Sequence, residues 1–181
     1  MSAEEFEIYL LLTMACDDSL RDRELRRLNV SLQRAKKTKA EVSEATRPAP
    51  GQLDRLLDIL GEGTTPETIQ DDGHFTTVVR RVFDSWRAFT FTVTANELGI
   101  WTDARFVRTM DEPPAMPAHP EGLTPWEFTL DEVSEHFGPL TPGDSWHPFS
   151  EWGIPGPHGD YSAAFSWGLL QTVPRIDGSS G

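Results

Sequence analysis

The sequence predicts an α+β fold: a helical N-terminal half followed by a small antiparallel sheet with long loops rich in Pro and Trp. Three observations carry this. Leucines recur at helical spacing before residue 61, apolar residues alternate with threonines over residues 89–95, and eleven of the fourteen prolines lie from Pro113 onward.

The elements follow in order. Residues 4–16 are ambiguous in period. Phe6, Ile8, Leu10, Leu12 and Met14 alternate as in a strand, but Ser2 and Glu5 make a capping box and the charged start favours a helix. Ser19, with Asp22 three positions on, caps a second helix. Its stripe is Leu25, Leu28, Leu32 and Ala35, and its other faces carry a basic cluster. Residues 38–50 form a polar connector that either prolongs this helix or is mobile; Pro48 and Pro50 end any helix there. Residues 52–60 read as a short helix with Leu53, Leu56, Leu57 and Leu60 on its stripe and Gly61 as its stop. Thr65, Pro66 and Glu67 read as the cap and first turn of another. Beyond Asp72 and Gly73, the residues Val78, Val79, Val82, Phe83 and Trp86 have helical spacing.

The period then changes. Phe89, Phe91, Val93 and Ala95 alternate with Thr90, Thr92 and Thr94, the clearest strand in the chain. Residues 96–99 can turn it and 100–107 return as its hairpin partner. Residues 111–120 are a semi-rigid linker or surface loop. Thr129 and Glu132 cap a short helix that Gly138 and Pro139 stop. Residues 140–158 read as loop, and Tyr161, Ala163, Phe165, Trp167 and Leu169 alternate as a closing strand, for a sheet of three or four strands. The expected organisation is an α+β domain over 1–110, the linker, an acidic Trp/Pro-rich part over 121–175 packed on the same core, and a disordered tail over 176–181.

Composition narrows the class. A length of 181 suits one domain, or one domain with an appendage. No apolar run approaches the ~20 residues that span a bilayer. The acidic start lacks the basic opening of a signal peptide. The single Cys16 excludes an internal disulfide and multi-cysteine zinc sites. A soluble cytoplasmic protein without metal or cofactor is expected.

Charge is the next constraint. The net charge is −13, unevenly spread: +5 over residues 20–48 and −10 from residue 110 to the end. Phosphate binding needs a basic face, so nucleic acid is disfavoured as a partner. The acidic part instead suits a basic protein. Trp126, Trp146, Trp152 and Trp167 crowd the last third. They either pin the loops to the sheet or supply interface anchors. The leading expectation is therefore an acidic protein–protein interaction module, an inhibitor of immunity or antitoxin type for a basic partner. Its binding residues are Trp126, Trp146, Trp152, Glu151 and Asp144.

Two alternatives belong to other classes. The first is a small enzyme or ligand-binding protein with an aromatic pocket, in which His136, His147, His158 and Asp160 act as general base or ligands. Against it, His136 also suits the negative end of a helix dipole. His158 and Asp160 have the local spacing of an iron site but no histidine follows them. The Gly143-Asp144-Ser145-Trp146-His147 run is good turn chemistry, whereas a triad is assembled from separated segments. Gly61-Glu62-Gly63 lacks the lysine of a phosphate loop, and Cys16, beside Asp17 and Asp18, is poorly placed for a thiolate. The second alternative is a DNA-associated regulator using the basic helix over 20–39 through Arg23, Arg26, Arg27, Lys36 and Lys37.

Overall fold

The first 60 residues are helical. α1 (Ala3–Thr13), α2 (Asp18–Arg27), α3 (Leu32–Ala45) and α4 (Gln52–Leu60) follow one another in a computed structural model that describes residues 1–71, 74–109, 113–157 and 159–176. The capping box decides α1. Ser2 N–H donates to the Glu5 carboxylate at 3.1 Å, and Glu5 N–H donates to Ser2 Oγ at 3.3 Å. The strand-like alternation has no consequence because Phe6, Glu7, Ile8, Leu10 and Leu11 are all buried, on a face wider than half the helix circumference.

The single basic helix expected over 20–39 is two helices. Asn29 sits at φ 55°, where Val30 N–H reaches Leu25 O at 2.9 Å and Asn29 N–H reaches Arg26 O at 3.0 Å. This is a Schellman end to α2, and Asn is one of the few residues that tolerates the left-handed position. Ser31 then caps α3, accepting from Arg34 N–H at 3.2 Å. α3 absorbs most of the polar connector, and α4 lies where its leucine stripe and Gly61 put it.

A four-stranded antiparallel sheet follows, in the order β1 (Glu67–Asp71), β2 (His74–Arg81), β3 (Phe89–Ala95), β4 (Trp101–Arg108). Two helical expectations fail here. The segment opened by Thr65 and Pro66 is strand β1. The Val78–Trp86 spacing spans strand β2 and a short 3-10 turn, Asp84–Trp86. Thr76, Thr77, Val78 and Val79 form a β-branched run that favours extended backbone, and Val79 pairs with Val93 across the ladder. Asp72 and Gly73 lie outside the described residues.

The chain forms two compact units, Met1–Thr13 with Asp18–Arg105, and Met14–Asp17 with Phe106–Gly181. In the first, Phe6 is fully buried against Phe83, Phe91 and Trp101, with ring centroids 6.0, 5.8 and 6.5 Å away. Beside it Glu7 is buried and satisfied, accepting from Ser85 N–H at 2.8 Å and from Arg27 at 3.2 Å.

The second unit carries α5 (Leu130–Phe137) and a second antiparallel sheet, β5 (Thr141–Trp146), β6 (Phe149–Ile154), β7 (Tyr161–Ser166) and β8 (Leu169–Thr172), in that order. The described residues thus hold eight strands in two sheets rather than one sheet of three or four. The expected loop over 140–158 contains the β5–β6 hairpin. Pro142, Gly143 and Asp144 resemble a turn, yet they sit in an edge strand with a register shift, where proline and bulges are tolerated. The expected closing strand is two strands joined by Trp167 and Gly168, at φ 54° and 72°, a two-residue I′ turn. Residues 113–119 of the expected linker have no regular element; Asp111, Glu112 and residues 177–181 of the expected tail lie outside the described residues. Leu123, Phe128, Val133, Ile154, Tyr161, Ala163, Phe165 and Leu170 form the core. The β8 edge is covered: Trp126 N–H donates to Leu170 O, Leu170 N–H to Phe128 O and Leu130 N–H to Gly168 O, each at 2.9 Å.

Within the second unit one ion pair ties Arg108 to α5. The Arg108 guanidinium donates through Nε to Glu132 Oε1, and through its terminal nitrogen to Oε2 at 3.0 Å, while Glu132 also completes the α5 capping box with Thr129. Burial pushes the Glu132 carboxyl up, but the Arg108 and Thr129 hydrogen bonds outweigh it and hold it below the usual carboxylate range. A depressed folded value means that the pair stabilises above the unfolded glutamate value of about 4.3, and that this contribution is lost as pH falls through the lower folded value. Arg108→Ala is therefore expected to cost about 2 kcal/mol at pH 7 and progressively less as pH falls through the lowered Glu132 value, as read from urea midpoints over a series of acid pH values.

Candidate functional site

The β5–β6 hairpin presents the aromatic and acidic residues singled out from sequence, though not all together. Trp146 and Phe149 face each other across the ladder, so their side chains share one face of the sheet. The rings stack with centroids 4.4 Å apart and planes inclined by 28°. Trp146 is nevertheless 62% exposed. Glu151 lies two residues beyond Phe149 on β6 and so on the same face. Its carboxylate accepts a hydrogen bond from Ser162 Oγ on β7. Asp144 is exposed in the register shift opposite Glu151. At Gly143 a Cβ would stand 3.1 Å from Glu151 O, so glycine lets the two strands approach there.

The other two expected tryptophans point elsewhere. Trp152 has the opposite parity on β6; it packs against the core and its indole N–H donates to Ser150 Oγ at 3.2 Å. Trp126, at φ 64°, is half-buried beside β8 and donates its indole N–H to Gln171 Oε1 at 3.1 Å. Phe149, absent from the sequence expectation, completes the face. Its position opposite Trp146 is the signal, and that is visible only once residues 140–158 are read as a hairpin.

The histidines are dispersed. His136 is exposed in the last turn of α5, edge-on to Phe137 at 4.6 Å, and the Glu132 carboxylate four residues earlier is engaged by Arg108 and Thr129. His147 is exposed and edge-on to Trp167 at 4.7 Å. Asp160 is exposed, its carbonyl accepting from Ile176 N–H, and His158 lies outside the described residues. Among the described residues no three His, Cys, Asp or Glu side chains come together to hold a metal ion. Two neighbouring clefts open in the first unit instead. One of about 450 Å³ is lined by Gly51, Asp54, Phe75, Asn96, Glu97 and Leu98, among others. The second, about 430 Å³, adds His74. Neither is lined by His136, His147 or Asp160.

The basic residues of α2 and α3 are largely paired within the first unit. Arg27 contacts Glu24 at 2.7 Å and Glu7 at 3.2 Å, Arg23 lies 3.5 Å from Glu24, and Lys37 lies 3.6 Å from Glu41. Arg26 and Lys36 are exposed.

No family model, curated protein or solved structure matches the chain. Among the described residues no helix is long and apolar enough to cross a membrane.

Proposed function

We propose that the second unit is an acidic protein-interaction module that binds a basic partner protein through the β5–β6 hairpin. One observation carries the reading. A tryptophan stacked on a phenylalanine stands 62% exposed on a sheet edge, in a part of the chain whose net charge is −10. An exposed ring held in place by a neighbour loses little freedom on binding, and aromatic anchors of this kind dominate interface energetics. The surrounding negative charge steers a basic protein toward it. An inhibitor of immunity or antitoxin type, which covers the cationic surface of a toxin that acts on nucleic acid, is the form of this function that best suits the charge.

Trp146→Ala is expected to weaken partner binding about 30-fold, equivalent to about 2 kcal/mol, and to leave the fold intact because the side chain is mostly in solvent. The check is capture of cell proteins on immobilised wild type and on Trp146→Ala, followed by calorimetric titration of the captured protein after purification. A basic protein that binds wild type stoichiometrically and the variant weakly supports the module. Identical sets of proteins on both columns would sink it.

A second reading, the DNA-associated regulator, is favoured by the four-residue turn that joins α2 to α3, with Arg26 and Lys36 exposed on the two helices. It ranks lower because most of the surrounding cations are neutralised in place.

A further inference from the structure

We infer that the two neighbouring clefts of the first unit take a linear aliphatic polyamine, an inference independent of the hairpin. The clefts hold about 450 and 430 Å³ and share Phe75, Asn96, Glu97 and Leu98. Each is large enough for a small organic ligand. Hydrogen bonds hold their walls. Gly51 N–H donates to Leu98 O and Leu53 N–H to Gly99 O, each at 2.9 Å, and Asn96 Oδ1 accepts from Leu98 N–H at 3.0 Å and Ile100 N–H at 3.1 Å. Phe75 lies past the end of the β2–β3 ladder, where the terminal pair is Thr77 with Ala95. There its N–H donates to Glu97 Oε1 at 3.2 Å, and its side chain stands 49% exposed. An aromatic ring and a carboxylate are thus tied together at one cleft.

The lining selects the ligand. Asp54 and Glu97 both line the larger cleft and have no cationic partner among the described residues. The Arg55 guanidinium, next to Asp54 in sequence, donates instead to the carbonyls of Ala45, Pro50 and Arg47. Neither cleft is lined by a lysine or an arginine. Phe75 and the exposed Leu98 supply apolar surface beside the two acids. A polyamine alternates ammonium groups with short methylene runs. Each ammonium meets one carboxylate or the face of the ring, and the methylenes lie on Phe75 and Leu98. No single cation has to reach both acids. A neutral apolar ligand suits the clefts less, because it strips water from the carboxylates without replacing it. A metal ion also suits them less, because no three acidic or histidine groups converge among the described residues.

The test is calorimetric titration of the full chain at low salt with spermidine, and with butylamine and butanol as single-charge and neutral counterparts. The expected result is saturable binding of one equivalent of spermidine, with butylamine about tenfold weaker and no saturable heat from butanol. Glu97→Gln keeps an acceptor for Phe75 N–H and is expected to weaken spermidine about fivefold, as is Asp54→Asn. Both replace exposed side chains, so the fold is retained. Phe75→Leu, which keeps apolar bulk and removes the ring face, is expected to cost about threefold. Glu135→Gln removes the same charge from an exposed position on α5, outside the clefts, and is expected to change the affinity less than about 1.5-fold. Absence of spermidine binding overturns the site. So does equal weakening by Glu97→Gln and Glu135→Gln, the result that loose attraction of a polycation to a chain of net charge −13 would give. Either failure leaves the hairpin module standing, since that reading is decided by Trp146→Ala.

Discussion

Trp167→Ala is expected to destabilise the second unit by about 3–5 kcal/mol. Trp167 is 2% exposed although it occupies the first position of a two-residue turn, where Asn or Gly is the usual choice. The left-handed φ of 54° costs a side chain about 1 kcal/mol or more, and tryptophan gains nothing there from local preference. What holds it is tertiary: its N–H donates to Pro148 O at 2.8 Å, its carbonyl accepts from Phe106 N–H at 2.8 Å, and His147 packs edge-on to the ring. Alanine keeps the strained φ and loses the burial. Asparagine relieves the strain and also loses the burial. Urea unfolding of both variants separates the two contributions. Similar large losses place the stabilisation in the buried indole, whereas an asparagine variant near wild type would place it in the turn.

Phe6→Ala is expected to cost a comparable 3–5 kcal/mol in the first unit. The ring is the hub of an aromatic cluster that joins α1 to β3 and β4, touching Tyr9 on its own helix as well as Phe83, Phe91 and Trp101. Each aromatic pair adds about 0.5–1.5 kcal/mol beyond the area it buries, and these contacts vanish together. Phe6→Leu retains most of the volume and is expected to lose about 1–2 kcal/mol. Chemical denaturation followed by near-ultraviolet circular dichroism reads both. A cost below about 1 kcal/mol for alanine would contradict the packing described.

Where local chemistry and tertiary packing agree, the sequence is legible. α4 has a leucine stripe and a glycine stop, β3 has strict alternation, and α5 has a capping box; each forms where its residues indicate. Three kinds of competition hide the rest. The stripe from Leu25 to Ala35 runs on without interruption, and only the left-handed Asn29 and the Ser31 cap divide it. The residues from Val78 to Trp86 have helical spacing by coincidence, because a strand and a 3-10 turn share them. The proline, glycine and aspartate of β5 are turn formers in isolation but tolerable on a sheet edge. The same logic governs the site. Composition marks Trp146, Asp144 and Glu151, but strand parity turns Trp152 inward, and the Trp146–Phe149 pair depends on a ladder register that no single segment encodes.

The covering of β8 by residues 126–130 limits how copies of this chain can associate through the second sheet. A sheet with two open edges can template addition at both ends and propagate as a fibre. Here one side is already terminated internally, so edge-to-edge joining of two molecules through β5 leaves no further edge of this sheet to extend. Such a contact is self-limiting at a symmetric pair. A β5 strand carrying proline and a bulge makes even that pair a poor match. The second sheet can thus keep a tryptophan in solvent at one margin without offering a route to polymerisation.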